Sequence, residues 1–306
     1  MTVWNAIDSL IRGLQKQSSD EMKKEIIMGK FSNVFFASDF DHTLTGQDNV
    51  LRERNIEAIR YFMSEGGIFT VASGRSIPLF SKRAKLVPVN APCILYNGGA
   101  CYDYASGTLH YAHPLPDFAM EIVREARRLD PTLCVEIQGV ENHYVFGQNE
   151  RRDRFLRGEG FSSVHVTDTA PKPWMKITVC GAMGKDPLST EFSPEEAAQI
   201  EAVRQHLDDF CAGRCYVVRS MPYIIEIGNP DCSKGGAARA LANQYGRQLL
   251  ACAGDAPNDI SMLDEADFAF VPADRDEALR SGPYLEAAPC NEGTVADAIE
   301  KLEALL

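Results

Sequence analysis

The chain has no hydrophobic run long enough to cross a bilayer, which takes about 20 consecutive apolar residues in a helix. Its N-terminus also lacks the apolar core of a secretory signal peptide. We therefore expect neither membrane insertion nor secretion, and we predict a cytoplasmic location. The 306 residues, of which 45% are hydrophobic and 24% charged, are enough for two domains or for one large α/β domain.

Positive charge is scarce. The 31 lysines and arginines are outnumbered by 43 aspartates and glutamates, which gives a formal net charge of -12. A surface that binds nucleic acid or an anionic membrane needs a basic stripe, so we expect neither partner. An anionic small molecule would have to be held locally, by a metal ion, by a few cationic side chains or by helix N-termini.

The nine cysteines follow no repeating frame, and the six histidines show no metal-ligand spacing beside them. Cys211 and Cys215 have three residues between them, but there is no second pair of this kind. We predict reduced structural thiols in a cytosolic protein.

The stretch from Val34 to Thr45, VFFASDFDHTLT, carries the first chemical signal. A near-continuous apolar run, typical of a buried parallel strand, ends in Asp39 and Asp41, and Thr43 follows. Ligands of open α/β sheets bind beyond the carboxyl ends of the strands, where two such acids can share a cation. The alternative is a strand followed by an acidic turn, so the motif needs partners elsewhere in the chain.

Strand and helix patterns alternate after this stretch. Helix-spaced apolar residues from Leu51 to Met63 end at a Gly-Gly pair, strand IFTVAS follows, a helix extends through Lys85, and strand CILY ends at Asn-Gly-Gly. This order predicts right-handed parallel crossovers and a doubly wound, Rossmann-like α/β sheet.

The segment from residue 100 to 228 has a different pattern of apolar and polar residues. LCVEIQGV, KITVCG and YVVRS alternate apolar and polar positions, and helical stretches lie near 117 to 129 and 194 to 210. Alternation predicts antiparallel strands covered on one face by those helices. We predict three parts: an N-terminal helical extension over residues 1–30, a core made of residues 31–99 and 229–306, and an inserted α+β domain over residues 100–228.

Three further clusters lie at predicted strand ends or helix starts, where side chains distant in sequence converge. They are Ser73 with Arg75, Lys234, and GDAPND from Gly254 to Asp259. A Ser-Gly-Arg turn and a lysine near a helix start are each common, whereas Gly-Asp-x-x-Asn-Asp is rare. Because all of them occur in one order with the first motif, one shared site explains them better than coincidence.

The order DFDHT, SGR, SKGG and GDAPND resembles that of the haloacid dehalogenase-like hydrolase superfamily, specifically its class IIB Cof-like phosphatases. In that group a large cap domain is inserted between the second and third motifs. The resemblance covers nearly everything after residue 30, including the Asn-Gly-Gly turn and the terminal NEGTVADAI. It implies that the inserted domain is a cap that closes over the phosphate and reads the rest of the substrate.

The resemblance also implies roles for the two acids of the first motif. Asp39 would be the nucleophile that forms an aspartyl phosphate. Asp41 would protonate the leaving alcohol and then deprotonate the attacking water, so it must carry a proton in the first step. Mg²⁺ would be held by the Asp39 carboxylate, the Asp41 main-chain carbonyl and Asp255. Asp259 would be an outer metal ligand or, as we slightly favour, the partner of Lys234.

The phosphoryl oxygens would be held by Ser73 and Lys234, with Asn258 close by. His42 stands where the family most often has glycine, so we expect that the backbone there need not adopt positive φ. Its imidazole is either a tolerated replacement or a contact to the leaving group, and Arg75 is either a brace of its loop or a substrate ligand. Four polar residues of the inserted domain face either the cleft or solvent: Lys176, Arg219, His143 and Glu136.

We predict a Mg²⁺-dependent phosphatase, a monomer or homodimer, that hydrolyses a sugar phosphate or another small phosphorylated metabolite. One alternative is a phosphomutase of the same superfamily, which passes the phosphoryl group to a second hydroxyl. Another is a non-catalytic regulatory protein that binds a phosphate ligand, which is disfavoured because the four key residues Asp39, Asp41, Lys234 and Asp255 are all present. A dehalogenase is disfavoured because it needs neither the second aspartate nor the metal carboxylates.

Overall fold

The computed structural model describes residues 29–147, 150–181, 193–221 and 223–306. The helix predicted within the first thirty residues lies, up to residue 28, outside the described residues. The strands are β1 Val34–Ser38, β2 Ile68–Val71, β3 Cys93–Leu95, β4 Ala100–Asp103, β5 Thr108–Ala112, β6 Cys134–Gly139, β7 His143–Phe146, β8 Val164–His165, β9 Trp174–Cys180, β10 Tyr216–Met221, β11 Ile224–Gly228, β12 Leu249–Ala253, β13 Phe268–Pro272 and β14 Leu285–Ala287. The α-helices are α1 Glu53–Ser64, α2 Ile77–Phe80, α3 Ala119–Leu129, α4 Glu150–Gly158, α5 Pro194–Cys211, α6 Lys234–Gln244, α7 Ile260–Glu265 and α8 Thr294–Leu305.

Five strands form a parallel sheet in the order β14-β13-β12-β1-β2. Strand β1 is buried on both faces, which explains its near-continuous apolar sequence. Phe36 packs in one cluster with residues of α1 and α8, such as Phe62 and Leu302, and Phe35 packs with α6 through Leu241. Helices therefore cover both faces of the sheet, and the predicted doubly wound α/β class is confirmed.

A second, three-stranded antiparallel sheet consists of β3, β4 and β5. A parallel bridge between Ala72 and Ile94 joins it to the end of β2. The hairpin β4–β5 was assigned from the sequence to the inserted domain, but its hydrogen bonds run to β3. Ala100 and Cys101 are buried in the clusters that surround the five-stranded sheet. Alternation along a hairpin does not reveal which sheet it joins, so the sequence pattern could not make this distinction.

The third sheet has six strands in the order β10-β11-β9-β6-β7-β8, and only β7 and β8 run parallel. Helices α3 and α5 cover one face, where Ile122 and Leu207 share a cluster with Ile177 of β9. The predicted alternation is thus confirmed. The opposite face carries polar residues, and the register places Gln138 opposite Lys176 on the neighbouring strand.

Two helices differ from the sequence prediction. The helix expected to extend through Lys85 covers only α2, Ile77–Phe80, and turns follow it. Helix α4 was not predicted because its sequence, ERRDRFLRG, has no apolar stripe of helical spacing. Among the described residues, no helix has the length and apolar content that a membrane span requires. All nine cysteines are buried and unpaired, as predicted.

Candidate active site

A cavity of about 130 Å³ lies beyond the carboxyl ends of β1, β2 and β12, beneath the polar face of the six-stranded sheet. The parallel sheet contributes Asp39, Asp41, His42, Ser73, Arg75, Asp255 and Asn258 to its wall. The six-stranded sheet contributes Gln138, Lys176, Thr178 and Glu226. The structure thus brings together all the residues singled out in the four motifs, with Lys234 and Asp259 directly behind Asp39 rather than on the cavity wall.

Lys234 lies between two buried carboxylates. Its Nζ donates to Asp39 Oδ1 at 2.6 Å and to Asp259 Oδ1 at 2.7 Å. The other oxygen of Asp259 accepts from the main-chain N–H groups of Asp255 and Ala256, at 3.0 and 3.1 Å. Three hydrogen bonds occupy the Asp259 carboxylate, so its contacts are those of a partner for Lys234 rather than of a metal ligand.

Three carboxylates lie close together, and two of them, Asp39 and Asp259, bind Lys234. Oxygen atoms of Asp39, Asp255 and Asp259 lie within 4.8 Å of one another, and Thr43 Oγ1 donates to Asp255 Oδ1 at 2.8 Å. Burial raises the pKa of Asp39 to about 8 against the opposing effect of Lys234, and burial beside Asp39 raises the pKa of Asp255 well above its usual range. Excess negative charge on oxygen ligands fits a hard divalent cation such as Mg²⁺.

Arg75 holds the side chain of Asp41. Arg75 Nε and Nη2 donate to the two carboxylate oxygens at 2.8 and 2.7 Å, and Nη1 lies 3.3 Å from Glu159 Oε2, just after α4. Although burial opposes the effect, Arg75 keeps the pKa of Asp41 below its usual value. The proton that Asp41 must carry in order to protonate a leaving alcohol is thus opposed by this contact, because a neighbouring guanidinium favours the charged carboxylate.

Ser73 and Asn258 both line the cavity. Ser73 Oγ accepts from the N–H of Arg75 at 3.1 Å, which fixes the turn after β2. Asn258 Nδ2 donates to Asn97 Oδ1 at 3.3 Å, and Asn97 Nδ2 donates to Glu226 Oε2 at 2.6 Å. Asn97 was interpreted from the sequence only as part of a turn. Asn97, whose φ is 55°, therefore links Asn258, which follows β12, to Glu226 of the six-stranded sheet.

His42 is half-buried and has a φ of 60°. The expectation that the backbone here need not adopt positive φ is therefore wrong. The chain turns back at once, because the N–H groups of Leu44 and Thr45 both donate to the carbonyl of Phe40. The N–H of His42 donates to Thr45 Oγ1 at 3.2 Å. This tight turn imposes the left-handed conformation whichever residue occupies the position.

The family model described as haloacid dehalogenase-like hydrolase matches residues 36–299. The chain belongs to this family. A putative phosphatase of Mycoplasma genitalium is 34% identical to this hydrolase over 263 residues, which cover 76% of this chain and 84% of that protein. A 5-amino-6-(5-phospho-D-ribitylamino)uracil phosphatase of Bacillus subtilis is 24% identical, over 87% of this chain and 96% of that protein.

The fold is shared with a solved haloacid dehalogenase subclass IIB sugar phosphatase. The two structures superpose with a TM-score of 0.72 over 88% of this chain and 98% of the other, at 18% sequence identity. The resemblance drawn from the four motifs is confirmed at the level of family and fold.

The four polar residues proposed for the inserted domain of this hydrolase take different positions. Lys176 lines the cavity and donates to the Gly74 carbonyl and to Glu226. Arg219 lines an adjoining outer cavity of about 670 Å³. Glu136 and His143 are fully buried and line neither cavity.

Sequence reasoning missed several cavity residues: Gln138, Arg152, Thr178 and Glu226. Two of them lie on the same strands as residues that it had named. Gln138 is two positions after Glu136, and Thr178 is two positions after Lys176, so the period of two along a strand was the available signal.

Proposed function

We propose that this hydrolase is a Mg²⁺-dependent phosphatase that cleaves a small phosphate monoester through an aspartyl phosphate on Asp39. The observation that carries this proposal is the Asp39 carboxylate on the cavity wall, held by Lys234 within the cluster of three carboxylates. The relatives that are named phosphatases support the same reaction class. We further propose that it acts in the cytoplasm, on a free metabolite rather than on nucleic acid or a membrane.

Asp39 would attack phosphorus, so that a carboxylate oxygen forms the new P–O bond while the ester P–O bond breaks. Lys234 fixes the orientation of this carboxylate through its bond to Oδ1. The hydroxyl of Ser73 would meet the negative charge on the phosphoryl oxygens, with Asn258 beside it, and Lys234 would add its positive charge from behind Asp39. Water would then attack phosphorus, release inorganic phosphate and restore Asp39.

Mg²⁺ would be held by Asp39, by Asp255 and by the main-chain carbonyl of Asp41, and would supply the positive charge that allows a carboxylate to approach a phosphate. Thr43 orients Asp255 for this purpose through its hydrogen bond to Oδ1. Asp259 would stay outside the ligand set, because Lys234 and two main-chain N–H groups already bind it.

Asp41 is a carboxylate in the arrangement with Arg75, so it is prepared to take a proton from the water that hydrolyses the aspartyl phosphate. To protonate the leaving alcohol, it must first separate from Arg75, because a guanidinium at 2.7 Å favours the charged form. We propose that substrate entry shifts Arg75 away from Asp41 and toward Glu159, which already lies 3.3 Å from Arg75 Nη1.

The test is phosphate release from p-nitrophenyl phosphate and from a panel of phosphorylated metabolites, with no bisphosphate added. We expect turnover with Mg²⁺ and none after EDTA treatment. Asp39→Asn should be inactive, whereas Asp168→Asn, which changes an exposed aspartate outside the cavity, should match the wild type. Full activity of Asp39→Asn would overturn the mechanism, and a strict requirement for a bisphosphate would indicate a phosphomutase.

A further inference from the structure

The polar face of the six-stranded sheet forms the ceiling of the cavity, which we define as Gln138, Lys176, Thr178 and Glu226. Gln138 is 2% exposed, and its Oε1 has no hydrogen-bond partner within the part of the chain that the structure describes. A buried carbonyl oxygen left unpaired is unfavourable, because it has lost its hydrogen bonds to water without gaining a replacement. Since Gln138 lines the cavity, a molecule bound there can supply the missing donor.

The orientation of the Gln138 amide is fixed by chemistry. Its Nε2 donates to Glu136 Oε1 at 2.8 Å and to Thr178 Oγ1 at 3.0 Å. A carboxylate only accepts hydrogen bonds, so rotating the amide would place two oxygens against each other. Oε1 is therefore the atom that remains unpaired.

Glu136 is itself held from the other side. Arg152 donates to both of its oxygens, at 2.7 and 2.9 Å, and His143 Nδ1 lies 2.7 Å from Oε1. Against the effect of burial, Arg152 and His143 keep the pKa of Glu136 well below its usual range. Glu136 thus stays a carboxylate, which is the form that the Gln138 amide requires.

His143 ties this arrangement to the parallel sheet. Its Nε2 lies 2.6 Å from the hydroxyl of Ser76, the residue that caps α2. Ser76 Oγ accepts from the N–H of Leu79, so its own hydrogen can point to Nε2. Burial lowers the pKa of His143 despite the nearby Glu136 carboxylate, which favours the neutral imidazole, and the Nε2 of a neutral imidazole can accept that hydrogen. Gln138 is therefore positioned by a chain of contacts that ends on the loop carrying Ser73 and Arg75.

Thr178 gives the ceiling a donor beside this acceptor. Its hydroxyl accepts from Gln138 Nε2, so its hydrogen is directed elsewhere. A hydroxyl of the leaving group can donate to Gln138 Oε1 and accept from Thr178, whereas an alkyl or aryl group can do neither. The cavity adjoins the outer cavity, with Arg152, Phe155 and Met221 lining both, so a longer leaving group can extend toward Arg219.

We propose that Gln138 is a specificity-determining residue, and that it selects phosphate monoesters whose leaving group carries a hydroxyl near the ester, those of polyols and sugars. This inference rests on the proposed phosphatase function. It assigns Thr178 as the companion donor. Glu136, Arg152 and His143 act as positioning residues that keep Gln138 in place.

The test compares kcat/KM for glycerol 3-phosphate and sorbitol 6-phosphate with that for propyl phosphate and p-nitrophenyl phosphate. We expect the wild type to prefer at least one hydroxylated ester over propyl phosphate by tenfold or more. Gln138→Leu should lower kcat/KM for that hydroxylated ester about tenfold. It should change kcat/KM for propyl phosphate and for p-nitrophenyl phosphate less than twofold. Gln205→Leu, an exposed glutamine on α5, is the matched control and should change none of them.

Thr178→Val provides a second variant that leaves Gln138 in place, and it should reduce the same preference. The inference is overturned if the wild type shows no preference for hydroxylated esters, or if either folded variant loses activity equally on all four substrates. Absence of any turnover of p-nitrophenyl phosphate by the wild type would instead contradict the phosphatase function itself. The two failures are thereby distinguishable.

Discussion

Arg75 binds both carboxylate oxygens of Asp41, with Nε 2.8 Å from Oδ2 and Nη2 2.7 Å from Oδ1. The same guanidinium contacts Glu159, which Arg83 also binds at 2.8 Å. Arg75 therefore connects Asp41, which follows β1, to Glu159, which follows α4. The charge state of Asp41 and the position of α4 are coupled through one side chain.

Arg75→Met should raise the pKa of Asp41, because the cation that stabilises its charged form is removed. If Asp41 acts as a base in hydrolysis of the aspartyl phosphate, that step slows as pH falls through its pKa, so the acid limb of kcat should move up by about one pH unit or more. The measurement is a pH–rate profile. Arg83→Met, which removes a partner of Glu159 but not of Asp41, should leave that limb in place. An unmoved limb in Arg75→Met would contradict the base role.

Asp41→Asn should separate the two chemical steps. p-Nitrophenolate leaves without a proton, so the aspartyl phosphate should still form, while its hydrolysis should slow by about 10²–10⁴-fold without a base. Rapid-mixing experiments should then show a burst of one nitrophenolate per site followed by slow turnover. If instead the first turnover slows as much as the later ones, Asp41 is needed for formation of the intermediate.

The metal should stabilise the protein more at high pH than at low pH. The pKa of Asp39 is raised to about 8, above the value near 4 of an aspartate in the unfolded chain. Without metal, the folded state therefore binds more protons than the unfolded state between these two pH values. Stability of the EDTA-treated chain should fall as pH rises through this window. Mg²⁺ should raise the melting temperature, by more at pH 8 than at pH 5.5, and Asp39→Asn should remove most of that difference. Equal increments at both pH values would rule out this linkage.

Asp255→Asn and Asp259→Asn should affect different properties. Asp255 has an oxygen available to a metal, so its variant should weaken Mg²⁺ binding by about 10–100-fold or more in titration calorimetry. Asp259 is occupied by Lys234 and two main-chain N–H groups. Its variant should lower the free energy of unfolding by about 1–3 kcal/mol and weaken Mg²⁺ binding less. Equal losses of Mg²⁺ affinity would show that Asp259 is also a ligand.

His42→Gly should stabilise the protein or leave it unchanged. A left-handed conformation costs a non-glycine residue about 1–2 kcal/mol, and glycine at position 42 would avoid this cost. Glycine also loses more conformational entropy on folding, which offsets about 0.5–1 kcal/mol of the gain. The net increase in the free energy of unfolding should therefore lie between about 0 and 1.5 kcal/mol. His42→Ala is the control, because it removes the imidazole and keeps the strain. A drop in activity shared by both variants would identify the imidazole as a contact to the leaving group.

The parallel sheet and the core of the site could be predicted from the sequence because each depends on local signals. A strand buried on both faces needs an uninterrupted apolar run, and β1 has one. Parallel strands direct their carboxyl ends to one edge, so Asp39, Ser73 and Asp255 had to converge once their strands were recognised.

The remaining features depend on contacts between distant segments. The charged state of Asp41 depends on Arg75, which lies 34 positions away in the sequence. The φ of His42 follows from hydrogen bonds that close the turn around it. Gln138 could not be singled out, because its unpaired oxygen is defined by Glu136 and Thr178 on two strands. Helix α4 brings Arg152 to the cavity although its own sequence carries no apolar stripe.

The ceiling residues occupy alternate positions on three adjacent strands, and the positions between them pack on α3 and α5. Substitutions on the polar face therefore leave that apolar packing intact and do not touch the acids at the ends of β1 and β12. On the proposed assignment, substrate choice depends on this polar face, and bond cleavage depends on the acids of the parallel sheet. Exchange of Gln138 and Thr178 is thus the route to a new preference, whereas Lys176 also holds the Gly74 carbonyl beside Ser73 and should be retained.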